Sequence, residues 1–238
     1  MIPRRIIQTH RSRSCVPRWD ALCMKQVIEL HPDWEIRFYS DGDCRDLIAE
    51  RCPGFLELYD WYPRPVQRAD FFRILSVHLL GGFYLDTDMW LSKSLDELCG
   101  LTAVFPWERI MSPQEFSEKF PSGQRQGEQA PQVGNYAFGA REGHGILALV
   151  TKEMIALSES ISTEHCSDSD VLFSTGPDLL SKVIYRNLEK FPDLTILDGD
   201  HTLEVPFPDP AYERYGQWFR FGDYGTHLMS GAWRKFDL

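Results

Sequence analysis

Residues 68–90, RADFFRILSVHLLGGFYLDTDMW, constrain the fold of this chain more than any other stretch. From Val66 to Leu80 the apolar positions Ala69, Phe72, Leu75, Leu79 and Leu80 recur at helical spacing, which predicts a largely buried helix. Gly81 and Gly82 stop it, because glycine readily adopts the left-handed backbone that closes a helix. FYLDTDMW then reads as a strand with Tyr84, Asp86 and Asp88 on one side and Phe83, Leu85 and Thr87 on the other. Two carboxylates there repel and lose hydration unless a cation or proton compensates them. A bare pair of aspartates is also what a solvated strand end or a turn cap carries.

The rest of the chain reads as alternating elements. RRIIQTH is a first strand, and RWDALCMKQVIELHP a helix with Trp19, Leu22, Val27 and Leu30 near one face, stopped at Pro32. DWEIRFYS alternates Trp34, Ile36 and Phe38, and DGDCRDLIAERCPG opens with aspartates able to cap a helix. GFLELYDWYP is a short helix ended by Pro63 and Pro65. LTAVFPW and GNYAFGA are strands; GILALVTKEMIALSES and PDLLSKVIYRNLEKF are helices. Strands alternating with helices predict an α/β fold with a mainly parallel central sheet flanked by helices, as one domain over 1–238. Residues 108–133, rich in Gln, Ser, Gly and Pro, predict a flexible insertion or lid.

The formal net charge of -10 argues against nucleic acid as a partner, since that affinity rests on neutralising phosphates. Arg4, Arg5, Arg11, Arg13 and Arg18 nevertheless crowd the first stretch, either as a solvated face or as an edge for a phosphorylated or membrane-borne partner. No apolar run reaches the ~18 residues of a membrane span. The expectation is therefore a cytoplasmic protein, at most peripheral at the inner membrane face. The six cysteines include no CxxC pair, which argues against a zinc cluster.

The central stretch resembles the DXD-containing sugar transferases of glycosyltransferase family 32. IPRRIIQTH, HPDWEIRFYSD, GNYAFGAREGHGIL, STGPDLL and GTHLMSGAW match in the same order, so the resemblance spans nearly the entire chain. It implies a GT-A type nucleotide-sugar-binding fold, distantly like the glucosylating domains of large bacterial toxins. The implied activity is metal-dependent, retaining hexosyl transfer from a nucleotide-sugar, a UDP-sugar by preference, to a saccharide or lipid-linked acceptor by front-face displacement. Polysaccharide biosynthesis is the expected setting.

By the same resemblance Asp86, Asp88 and His227 hold Mn²⁺, with Mg²⁺ as second choice. Asp70 and Arg73 take hydroxyls of the transferred sugar, with Arg68 near the same pocket. Tyr84 lines the donor site, Asn135 stands beside the donor sugar, Gly176 shapes the acceptor side and Trp233 closes over the diphosphate. The chemistry agrees, because a departing nucleoside diphosphate gathers negative charge that a cation stabilises.

Three rivals remain. A haloacid-dehalogenase-like phosphatase also carries DxD after an apolar strand, but its pattern continues with Thr or Val where Trp90 stands, and lies on the first strand. A nucleotidyltransferase generally needs a glycine-rich loop after the first strand, and QTHRSRSCVPR has no glycine. A non-catalytic sugar-nucleotide-binding protein with the same fold stays open.

Overall fold

The helix before the double glycine is buried in one of the two hydrophobic cores. The computed structural model describes residues 1–119, 131–162, 164–198 and 219–229. Strand β1 (Arg5–Thr9) pairs in parallel with β2 (Glu35–Tyr39) on one side and β3 (Gly82–Leu85) on the other. Helix α1 (Arg18–Leu30) connects β1 to β2; α2 (Asp41–Arg51), α3 (Leu56–Trp61) and α4 (Pro65–Leu80) connect β2 to β3. Parallel pairing requires such crossovers.

Strand β7 (Ala137–Ala140) adds antiparallel to β3, and β5 (Ala103–Ile110) antiparallel to β7, so β5 runs in the direction of β3. Strands β6 (Pro131–Val133) and β8 (Leu194–Leu197) pair with β5, antiparallel and parallel respectively. A second sheet has the order β4 (Met89–Leu91), β10 (Gly225–His227), β9 (Phe219–Phe221), all antiparallel. The remaining helices are α5 (Pro113–Lys119), α6 (Gly145–Ser158), α7 (Asp168–Ser174) and α8 (Pro177–Asn187).

The main sheet separates two cores by the alternation of its side chains. Ile7, Tyr84, Phe105 and Phe138 face the core beneath α4, α6 and α8; Ile6, Phe83, Leu85, Val104 and Ala137 face the core shared with α1 and the small sheet. Helix α4 lies in the first core with Phe71, Phe72, Ile74, Leu75 and Val77 each at most 2% exposed, a helix apolar on nearly all sides. Gly81 ends it at φ 64°, its N–H bonded to Val77 O at 2.9 Å. Gly82 is needed for a second reason: at φ 110° a Cβ would stand 2.7 Å from Arg5 O, on the strand beside it.

Some local expectations are corrected. The buried stripe of α1 is Asp20, Cys23 and Val27 rather than Trp19, Leu22, Val27 and Leu30, because Thr87 draws Asp20 inward. Helix α2 is capped by Ser40, which accepts from Asp43 N–H, while Asp43 accepts from Ser40 N–H in return. Within 108–133, residues 108–110, 113–119 and 131–133 are regular structure, with Phe116 2% exposed against Tyr185; residues 120–130 lie outside the described residues. Arg4 and Arg5 of the basic stretch are ion-paired with Asp96 and Glu35. Among the described residues, no helix is long and apolar enough to cross a membrane.

Candidate active site

Strand β3 ends at Leu85, and Asp86, Thr87 and Asp88 form the turn into β4, with Met89 N–H donating to Asp86 O at 3.1 Å. The two aspartates are therefore not successive same-side residues of one strand, as expected above. The turn aims them at a common point instead. Asp86 N–H donates to Tyr136 O at 2.7 Å, and Thr87 Oγ1 donates to Asp20 Oδ2 at 2.8 Å, anchoring the turn from both sides. Burial, and then the charge of Asp88, pushes the Asp20 carboxyl up to about 6.

His227 reaches this turn through the small sheet. It stands opposite Met89, the residue after Asp88, and Leu228 N–H donates to Asp88 O at 3.0 Å. Its Nε2 lies 3.0 Å from Asp88 Oδ1 and 3.7 Å from Asp86 Oδ2, while Tyr136 stacks on the ring at 4.7 Å and 6°. One donor atom from each of Asp86, Asp88 and His227 falls within 4.8 Å of the others. Enclosure opposes a charge on the imidazole, but Asp88 and Asp86 outweigh it and raise His227 above its ordinary range.

The residues fit a divalent cation. Two carboxylates converging on one imidazole need positive charge between them, and two oxygens with one nitrogen suit Mn²⁺ or Mg²⁺. Among the described residues His227 Nδ1 is buried without a hydrogen-bond partner, while the Asp88 carboxylate, 3.0 Å from Nε2, accepts a proton held on that nitrogen in the metal-free protein.

Behind the turn lies a buried polar network from α4. Arg73 places Nη1 3.3 Å from Asp86 Oδ1 and Nη2 3.3 Å from Asp70 Oδ1; Nη1 also donates to Asn135 O at 2.9 Å. Its guanidinium covers the Tyr84 ring at 4.6 Å, and Tyr84 OH donates to Asp86 Oδ1 at 2.7 Å. Asp70 accepts from Asn135 Nδ2 and from Thr175 Oγ1, each at 3.0 Å. Burial still pushes Asp70 up to about 6 against the pull of Arg73 and Thr175. Enclosure likewise raises Asp86, with Arg73 and His227 opposing.

The structure thus brings Asp70, Arg73, Tyr84, Asp86, Asp88, Asn135 and His227 together. Asn135 lies in the bend before β7 rather than in the strand, which begins at Ala137. Tyr84 is 1% exposed and braces Asp86 from below instead of presenting a surface to a ligand. Arg68 turns elsewhere, donating to Tyr62 O at 2.9 Å. Gly176 caps α8 and packs too closely for a side chain, a Cβ meeting Leu172 Cα at 2.9 Å; its neighbour Thr175 makes the contact with Asp70. Trp233 lies outside the described residues.

Sequence reasoning missed Asp20, Tyr136, Thr175 and Glu108. The signal for Glu108 was a lone carboxylate in the apolar strand AVFPWERI. Burial pushes it up to about 7, with His227 pulling it down.

Residues 17–105 match the profile of the family described as "Glycosyltransferase sugar-binding region containing DXD motif". "Inositol phosphoceramide mannosyltransferase 3" of Schizosaccharomyces pombe is 32% identical over 213 residues, 90% of this chain and 52% of that protein. "Mannosyl phosphorylinositol ceramide synthase SUR1" of Saccharomyces cerevisiae is 31% identical over 103 residues, 43% of this chain and 27% of that protein. This chain therefore spans about half the length of the first relative, and less of the second. The solved structure "PaToxG Glycosyltransferase" superposes with a TM-score of 0.53 at 13% identity, over 80% of this chain and 71% of that one. The resemblance to the DXD-containing sugar transferases is borne out, and with it the GT-A type α/β fold.

Proposed function

We propose that this chain, carrying the sugar-binding region and fold of the DXD-containing glycosyltransferases, is a metal-dependent hexosyltransferase that moves a sugar from a nucleotide-sugar to a glycolipid headgroup. The observation that carries the reading is the convergence of Asp86, Asp88 and His227 at the carboxyl end of β3, beside the Asp70–Arg73–Asn135 network. Ligands of open α/β sheets bind beyond the carboxyl ends of the strands.

Asp86, Asp88 and His227 hold the cation, and Arg73 and Tyr84 fix the direction of Asp86. A divalent cation bound there supplies positive charge to the diphosphate as it leaves. Asn135 and Asp70 sit next to Arg73, placed to orient hydroxyls of the transferred sugar once the donor displaces their mutual contacts. The names of both fungal relatives favour mannose as the sugar and a phosphoinositol-bearing lipid as the acceptor class. Of the two acceptor classes expected from the sequence, saccharide and lipid-linked, this choice takes the lipid-linked one. Retention of anomeric configuration and a peripheral place at a membrane complete the reading.

The test is a panel of GDP-mannose, UDP-glucose, UDP-galactose and UDP-N-acetylglucosamine with Mn²⁺, Mg²⁺ or chelator, read by thermal shift and by transfer to a phosphoinositol lipid. One nucleotide-sugar is expected to raise the melting temperature only with metal present and to support transfer. Indifference to every donor, with and without metal, refutes the assignment.

A further inference from the structure

Strand β5 carries a charged side chain that the site described so far does not use. Ala103 and Gly82 both pair with Ala140, and Val104 and Phe83 both pair with Gly139, so β3 and β5 run level on either side of β7. Glu108, five residues past Ala103, consequently stands just beyond the level of Asp86, four past Gly82. Two inter-strand spacings, roughly 10 Å, separate the two backbones. The lead-in to β7 runs between them, Tyr136 O accepting from Asp86 N–H at 2.7 Å and Gly134 N–H donating to Pro106 O at 3.1 Å.

The local backbone singles Glu108 out. Trp107 pairs with Val133 and Arg109 with Gln132, so the register shifts at Glu108 and leaves it as the extra residue of a bulge. Bulges re-aim side chains and concentrate beside active sites. Glu108 Oε2 is buried and, among the described residues, has no hydrogen-bond partner. The cations near it are engaged elsewhere: Arg109 with Glu115 at 2.5 and 3.1 Å, and Lys119 with Asp178 at 3.0 Å. The imidazole of His227, also nearby, turns its Nε2 to Asp88. A buried carboxyl oxygen without a donor is costly and calls for a functional reason.

We propose that Glu108 accepts a hydrogen bond from a hydroxyl of the sugar held at this end of the sheet, the ligand supplying the donor that the protein withholds. The inference rests on the glycosyltransferase reading above. It places the contact at the same end of the sheet as Asp86 but two strands away, so Glu108 recognises the sugar and leaves the diphosphate to the aspartate turn.

The experiment compares the parent with Glu108→Gln, using GDP against GDP-mannose and UDP against UDP-glucose, each with Mn²⁺, by calorimetry. The variant is expected to bind the nucleoside diphosphate within about twofold of the parent and the matching nucleotide-sugar about 10–100-fold more weakly. It is also expected to melt no lower than the parent, since no protein contact is lost. Equal loss for diphosphate and nucleotide-sugar, no loss for either, or a clearly lower melting temperature overturns the role of Glu108 while leaving the functional reading intact. A parent that binds none of the four compounds removes the functional reading and this inference together.

Discussion

Arg73 reaches from α4 to the aspartate turn, with Nη1 3.3 Å from Asp86 Oδ1, while its Nη2 holds Asp70 at the same distance. One guanidinium thus compensates two carboxylates, and both sit where their charge costs most. Burial disfavours the cation, yet Asp86, Tyr84 and Asp70 hold Arg73 above its usual range. Removing the arginine leaves Asp70, 3% exposed, without its countercharge. Arg73→Ala is expected to cost about 3–5 kcal/mol in urea unfolding. Arg73→Lys should cost less but more than nothing, because an ammonium lacks the planar fork that spans both acids. An alanine variant within about 1 kcal/mol of the parent contradicts this account of the network.

If Asp86, Asp88 and His227 hold a divalent cation as proposed, Mn²⁺ should raise the melting temperature and chelator should reverse it. A metal present at 100 times its dissociation constant stabilises the folded state by about 2.7 kcal/mol. Asp88→Asn and His227→Ala should both reduce that gain, the former by removing a charge while keeping an amide oxygen, the latter by removing the nitrogen ligand. Retention of the full Mn²⁺ effect in Asp88→Asn shows that the ion binds elsewhere.

Asp20 gives the stability of the metal-free protein a pH dependence of known sign. Its folded carboxyl is raised to about 6, while an unfolded aspartate titrates near 3.9. Below about pH 4 the group is protonated in both states. As pH rises from about 4 to 6 the folded state holds the proton more tightly, so stability falls across that window and stays lower above it. Asp70, also raised to about 6, acts in the same direction. Asp20→Asn keeps an acceptor for Thr87 and removes the titration. In chelator it should match the parent near pH 4, exceed it by roughly 1–3 kcal/mol at pH 7, and show a flatter profile between. A parent more stable than Asp20→Asn at pH 7 reverses the sign and refutes the assignment.

Gly82 is held by geometry on two counts, φ 110° and the close approach of Arg5 O. Gly82→Ala is expected to destabilise by about 2–4 kcal/mol, combining backbone strain with displacement of β1. At Gly100 nothing stands within 4 Å of a built Cβ, and Gly100→Ala should fall within about 0.5 kcal/mol of the parent. Similar losses at both positions would remove the steric argument.

The sequence by itself determined the α/β class, the helix over Val66–Leu80 and its glycine stop. These follow from periodicity and backbone chemistry, which act between near neighbours. It could not place Asp20 on the buried side of α1, because the partner that turns it inward, Thr87, lies on a distant turn. Nor could it derive from spacing that His227 meets Asp88: that contact exists because β10 pairs with β4. Glu108 opened the segment 108–133 that read as a flexible insertion, until the bulge and the shared register of β5 with β3 showed where it stands. Local elements are set by interactions within a few residues, whereas a site assembled from β3, β5, β10 and α4 depends on strand pairing and burial across the whole chain, which only the tertiary structure decides.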